Sequence, residues 1–127
     1  MTDMKVLVPG LDHPISVDET PERVTVRFGG HVVAESRRAL TLREASYPPV
    51  QYVPLDDVSP GVLEPSSHTS WCPYKGKAGY YDISVGGEVV AAAVWTYREP
   101  HDAVARIKDH VAFYQDRTQV SVVTDGE

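Results

Sequence analysis

The chain has 127 residues, 42% hydrophobic and 24% charged, with 18 acidic against 12 basic side chains and a net charge of −6. Such a composition describes a folded, soluble domain with room for a core, and it excludes the cationic surface needed to hold nucleic acid or an anionic membrane. A single cysteine excludes an internal disulfide and any zinc site built on cysteine pairs.

Met1 to Pro9 lacks the apolar core of a signal peptide, and no run approaches membrane-spanning length, so the expected location is cytoplasmic. Val24 to Phe28 alternates β-branched or aromatic residues with polar ones, and Gly29-Gly30 and His31 to Ala34 follow. This pattern predicts a hairpin, because paired glycines supply the positive φ angles of a two-residue turn. The same device recurs at Tyr81 to Val85, Gly86-Gly87 and Glu88 to Ala91, 57 residues further on. It is read either as two independent hairpins or as an old duplication. Ala39 to Glu44 predicts a strand with Leu40 and Leu42 on one face.

Six of the ten prolines fall between Pro48 and Pro73. Each fixes φ and removes a backbone donor, so this region predicts an ordered, proline-stiffened loop over a sheet rather than helix or continuous strand. Val89 to Trp95 is nearly all apolar, as a central strand buried on both faces would be. Glu99 to Lys108 is the one helix candidate, with Pro100 and Asp102 in its first turn and Val104, Ile107 and Val111 at helical spacing. Val111 to Tyr114 and Thr118 to Val123 read as closing strands. The expected fold is mainly β, with antiparallel sheets and one short helix near residues 100–109, in a single domain spanning residues 1–127.

The segment from Thr69 to Tyr81 concentrates chemistry: Trp71, Cys72, Tyr74, Lys75, Lys77, Tyr80 and Tyr81 lie within thirteen residues. A turn this rich in aromatic and reactive groups either plugs a core or lines a site.

Further motifs are Arg23-Val24, Phe28-Gly29-Gly30, Ala34-x-Ser36, Glu44 at a strand end, Tyr47-Pro48-Pro49-Val50-x-Tyr52-x-Pro54 and Asp57-Val58. Thr69-x-x-Cys72-Pro73-Tyr74-Lys75-Gly76, Trp95-x-Tyr97, Pro100 and Phe113-Tyr114 complete them. Over roughly residues 13–120 this series resembles domain-of-unknown-function family 427, which also carries a nucleotidyltransferase-like label. The resemblance implies a β-tent: two antiparallel sheets pinned at one edge and open at the other, with a cleft between. Other β-tent families often bind zinc through cysteine pairs, a feature this one-cysteine chain does not share.

Several residues are candidates for a site. Cys72 is a candidate nucleophile, with Lys75 close enough in sequence to favour its thiolate; the alternative is a small buried hydrophobe. Glu44 is a candidate general base or an orienting partner for Lys75. Lys75 is the candidate anchor for an anion, and Asp57 either contributes to the site or caps a turn. Tyr52, Trp71, Trp95 and Tyr97 either wall a cleft for a planar ligand or fill the core. His13, His31, His101 and His110 are scattered, and no metal site is expected from them.

Three functional readings follow. The first is a small-ligand-binding domain with an aromatic, lysine-anchored cleft taking a small anionic or aromatic molecule. The second is an enzyme acting on a nucleotide or other anionic small molecule through Cys72 or a Lys75–Glu44 pair. The third is a structural or interaction module without a ligand. Neither cofactor nor oligomeric state is legible.

Overall fold

A computed structural model describes residues 5–123. Its strands in chain order are β1 (Ile15–Glu19), β2 (Arg23–Phe28), β3 (His31–Ser36), β4 (Leu40–Glu44), β5 (Val50–Pro54), β6 (Leu63–Cys72), β7 (Gly76–Val85), β8 (Glu88–Thr96), β9 (His110–Phe113) and β10 (Gln119–Val123). Seven form one antiparallel sheet in the order β1-β4-β5-β9-β8-β7-β6; three form a second in the order β10-β2-β3. The mainly β, antiparallel expectation holds.

Both Gly-Gly pairs close hairpins, with φ of 55° and 82° at Gly29 and Gly30 and 60° and 85° at Gly86 and Gly87. These angles suit a two-residue turn whose twist matches the flanking strands. The two tips lie side by side. A Cβ placed on Gly29 would come within 4.0 Å of Glu88, and one on Gly86 within 3.8 Å of His31.

Alternation along the strands creates two apolar layers. Val24, Val26 and Val33 of the small sheet face Val53, Ile83, Val94 and Val111 of the large one, all at most 1% exposed. On the other face of the large sheet, Leu40, Leu42, Tyr52 and Ala112 pack with Val104 and Ile107. Each fully buried side chain of this size contributes roughly 1.5–3 kcal/mol. The sheets are joined on the β3 side, where Ala34 bridges to Val58 and the Ser59 amide donates to the Val33 carbonyl at 2.8 Å. On the β10 side, Val120 lines a cavity.

Three expectations need correction. The proline-rich segment is not a loop: it holds β5, a single 3-10 turn over Leu55–Asp57, and the ten-residue β6. β6 is an edge strand, so Pro65 interrupts no second ladder. The helix near residues 100–109 is a short 3-10 element, Asp102–Ile107, kinked at Val104 with φ −127°. The spacing of Val104 and Ile107 reflects two inward anchors of that turn, while Val111 already belongs to β9. β8 is central, between β9 and β7, but only its second half is buried: Ala93, Val94 and Thr96 are covered, whereas Val89 is 60% exposed. Among the described residues, no helix is long and apolar enough to cross a membrane.

Candidate functional site

The large sheet forks. β5 and β9 pair only through Val53 with Val111 and Pro54 with His110; beyond these, Tyr52 to Val50 and Ala112 onward run without pairing. β5 remains tied to β4 on its other side, and β9 to β8. A cleft occupies the fork. Its outer part, about 590 Å³, lies between Tyr47, Pro48 and Val50 on one wall and Trp95, Phe113 and Tyr114 on the other. Its inner part, about 210 Å³, shares Glu44, Tyr47, Pro48, Val50, Trp95 and Tyr114 with the outer part. Tyr52, Lys75, Tyr80 and Tyr97 close it inside.

Lys75 reaches the inner cavity from the β6–β7 turn. The Lys75 amide donates to the Cys72 carbonyl at 3.2 Å, closing a turn with Pro73 at its second position, where the ring pre-sets φ. Gly76 follows at φ 112°, and a Cβ there would meet the Glu99 carbonyl and the His101 ring at 3.3 Å. This close approach explains the Lys-Gly pair: the irregular segment from Glu99 to His101 lies against the turn, and the His101 amide donates to the Lys75 carbonyl at 3.0 Å.

Glu44 ends β4 on the same side as Leu40 and Leu42, followed by Ala45 in the left-handed region at φ 47°. The Ala45 amide donates to the Pro14 carbonyl at 2.8 Å and the Tyr47 amide to the Glu44 carbonyl at 2.9 Å, which holds this tight exit from the strand. The carboxylate is shared. Lys75 Nζ donates to Oε1, and His13 Nε2 lies 2.8 Å from Oε2. The His13 ring stacks on Tyr74 at 4.0 Å between centroids, so the two residues flanking the ion pair are fixed together. Burial by itself would raise the Glu44 pKa, but the hydrogen bonds from Lys75 and His13 outweigh it and hold the carboxyl below its ordinary range. Glu44 is therefore an ionised acceptor at neutral pH.

The aromatic wall is hydrogen-bonded as well as packed. Trp95 Nε1 donates to the Tyr52 hydroxyl at 3.1 Å, with the two rings edge to face, and the Trp95 ring leans on Tyr114 at 4.6 Å. Burial pushes the Tyr52 and Tyr97 phenols well above the ordinary tyrosine range. Burial and the Tyr80 contact push Tyr114 up to about 12. All three hydroxyls keep their protons and can donate.

Of the residues singled out from the sequence, Glu44, Tyr52, Lys75, Trp95 and Tyr97 converge on this cleft. Lys75 is only 8% exposed and sits at the inner end of the cleft. Three others lie elsewhere. Trp71 donates from its indole to the Lys5 carbonyl at 2.9 Å and meets the edge of His101. Cys72 pairs with Gly76 across the hairpin and packs against the second apolar layer, lining neither part of the cleft. Asp57 accepts from Ser36 at 2.6 Å and Arg38 at 3.0 Å, fastening the 3-10 turn to the end of β3. His13, Tyr47, Tyr80 and Tyr114 were given no role in a cleft from the sequence. His13 is 31 residues from Glu44 in the chain, so no local spacing could reveal it; the density of tyrosines was the visible signal for the others. Among the described residues, no three His, Cys, Asp or Glu side chains gather as metal ligands would.

A search of curated proteins gives no match. The family described as "domain of unknown function (DUF427)", under the label NTP_transf_9, matches residues 16–125, a span that includes Glu44, Lys75, Trp95 and Tyr114. The chain belongs to that family.

Proposed function

We propose that the protein binds a small planar molecule in the fork between β5 and β9, with Lys75 as its polar anchor. The observation that carries this reading is the continuity of the cleft: an open mouth of proline, tyrosine and tryptophan leads inward to a buried, charged hydrogen-bonding pair. Apolar walls with a few convergent polar groups are the ordinary make-up of a ligand site. A core would close over such aromatics, yet Tyr47 is 64% exposed and Tyr114 39% exposed at the mouth.

The test is a titration of small aromatic compounds followed by chemical-shift mapping, with Trp71→Phe used so that indole fluorescence reports on Trp95 alone. Binding should quench that fluorescence and move the signals of Val50, Trp95 and Tyr114. At a hundredfold excess over Kd it should stabilise the fold by about 2.7 kcal/mol. Shifts confined to other surfaces, or no binding across the panel, would refute the proposal.

A further inference from the structure

Resting on the cleft reading above, we infer that the ligand is a neutral oxo-heterocycle carrying a ring N–H beside a ring carbonyl, the lactam edge of a guanine-type ring, taken as free base or nucleoside. The inner end of the cleft offers a donor and an acceptor side by side, because Lys75 and Glu44 are hydrogen-bonded to each other. An ammonium has three donors and Glu44 takes one; a carboxylate has about four acceptor positions, of which Lys75 and His13 occupy two. Both groups line the inner cavity, and their side chains are 10% and 15% exposed.

Three ligand chemistries can be compared at this pair. A carboxylate accepting from one of the remaining Lys75 donors brings a second negative charge beside Glu44. A cation donating to one of the remaining Glu44 acceptor positions brings a second positive charge beside Lys75. A lactam edge does neither: its carbonyl accepts from Lys75, its N–H donates to Glu44, and the ion pair stays intact. Lysine on a guanine carbonyl and a carboxylate on a ring or exocyclic N–H are the pairings by which bases are read elsewhere. The body of such a ring is flat and stacks on the aromatic walls, where Trp95 and Tyr114 lie on one side and Tyr47 and Pro48 on the other.

The outer cleft limits what the ring carries. Among the described residues its lining includes Pro49, Gln51, Gln115 and Val120 but no lysine or arginine. A ribose finds amides and apolar surface there; a phosphate finds no cationic side chain among the described lining residues.

The experiment compares guanosine, 1-methylguanosine, guanosine monophosphate and benzoate by calorimetric titration of the wild-type protein. Guanosine should bind, and methylation of the ring nitrogen, which removes the donor facing Glu44, should weaken binding at least about tenfold. Guanosine monophosphate should bind no tighter than guanosine, and benzoate more weakly. A Glu44→Gln variant, checked for folding by its near-ultraviolet spectrum, should lose most of the discrimination between guanosine and its methylated form. Equal binding of those two, or tighter binding of benzoate, would overturn the lactam assignment while leaving a ligand cleft in place. Tighter binding of the monophosphate would overturn the free-base or nucleoside assignment. If no planar compound enters the cleft, both this inference and the reading it rests on fall.

Discussion

Replacing Lys75 by methionine is expected to lower folding stability by about 3 kcal/mol at neutral pH, because it leaves the Glu44 carboxylate largely buried with only His13 to compensate it. That value is the lower end of what breaking a buried pair costs, since one partner remains. A Lys75→Met, Glu44→Gln double variant should recover most of the loss by removing the uncompensated charge. The pH dependence fixes the cause. The folded-state pKa of Glu44 is lowered from its ordinary value of 4.5, so its interactions stabilise the fold fully above that value and are lost as pH falls through the folded one. The gap between wild type and Lys75→Met should therefore be constant near neutrality and close in acid. Urea denaturation at pH 7 and pH 3 measures both arms. A gap that persists unchanged at pH 3 would mean that lost packing, and not the charge pair, is responsible.

Gly76→Ala is expected to cost on the order of 2–3 kcal/mol, since a side chain is strained at φ 112°. Its methyl would also press on the Glu99 carbonyl and the His101 ring at 3.3 Å. Two neighbours must then move, and the His101 amide is the group bonded to the Lys75 carbonyl. The substitution should thus both lower the denaturation midpoint and displace Lys75 from Glu44, which would show as a shift of the Lys75 side-chain amine resonance. Lys77→Ala, at an exposed position one residue further on, provides the control and should leave both signals unchanged.

Local signals carried the hairpins and the placement of the aromatic cluster. Gly29-Gly30 and Gly86-Gly87 need no distant partner to dictate their turns, and Cys72-Pro73-Tyr74-Lys75-Gly76 writes its own reversal. What failed to show locally depends on partners far along the chain. Whether Pro65 breaks a strand depends on whether that strand has one neighbour or two, and β6 has one. Val104 and Ile107 look helical because both face inward, but the chain needs only a short 3-10 turn to aim them. Cys72 and Trp71 share the Lys75 turn yet line neither part of its cleft, because Cys72 packs into the second apolar layer and Trp71 is bonded to the Lys5 carbonyl. His13 joins Glu44 only after β1 has paired with β4, in the register that sets Ile15 opposite Glu44.

The short junction between β5 and β9 divides the large sheet into two leaves, β1-β4-β5 and β9-β8-β7-β6, spliced by two residue pairs. A continuous seven-stranded ladder would join these leaves along their whole length, whereas here they are paired strand to strand at one end only. Glu44 rides on one leaf and Lys75 on the other. Their ion pair is therefore a clasp: it ties the two leaves together across the unpaired side of the fork.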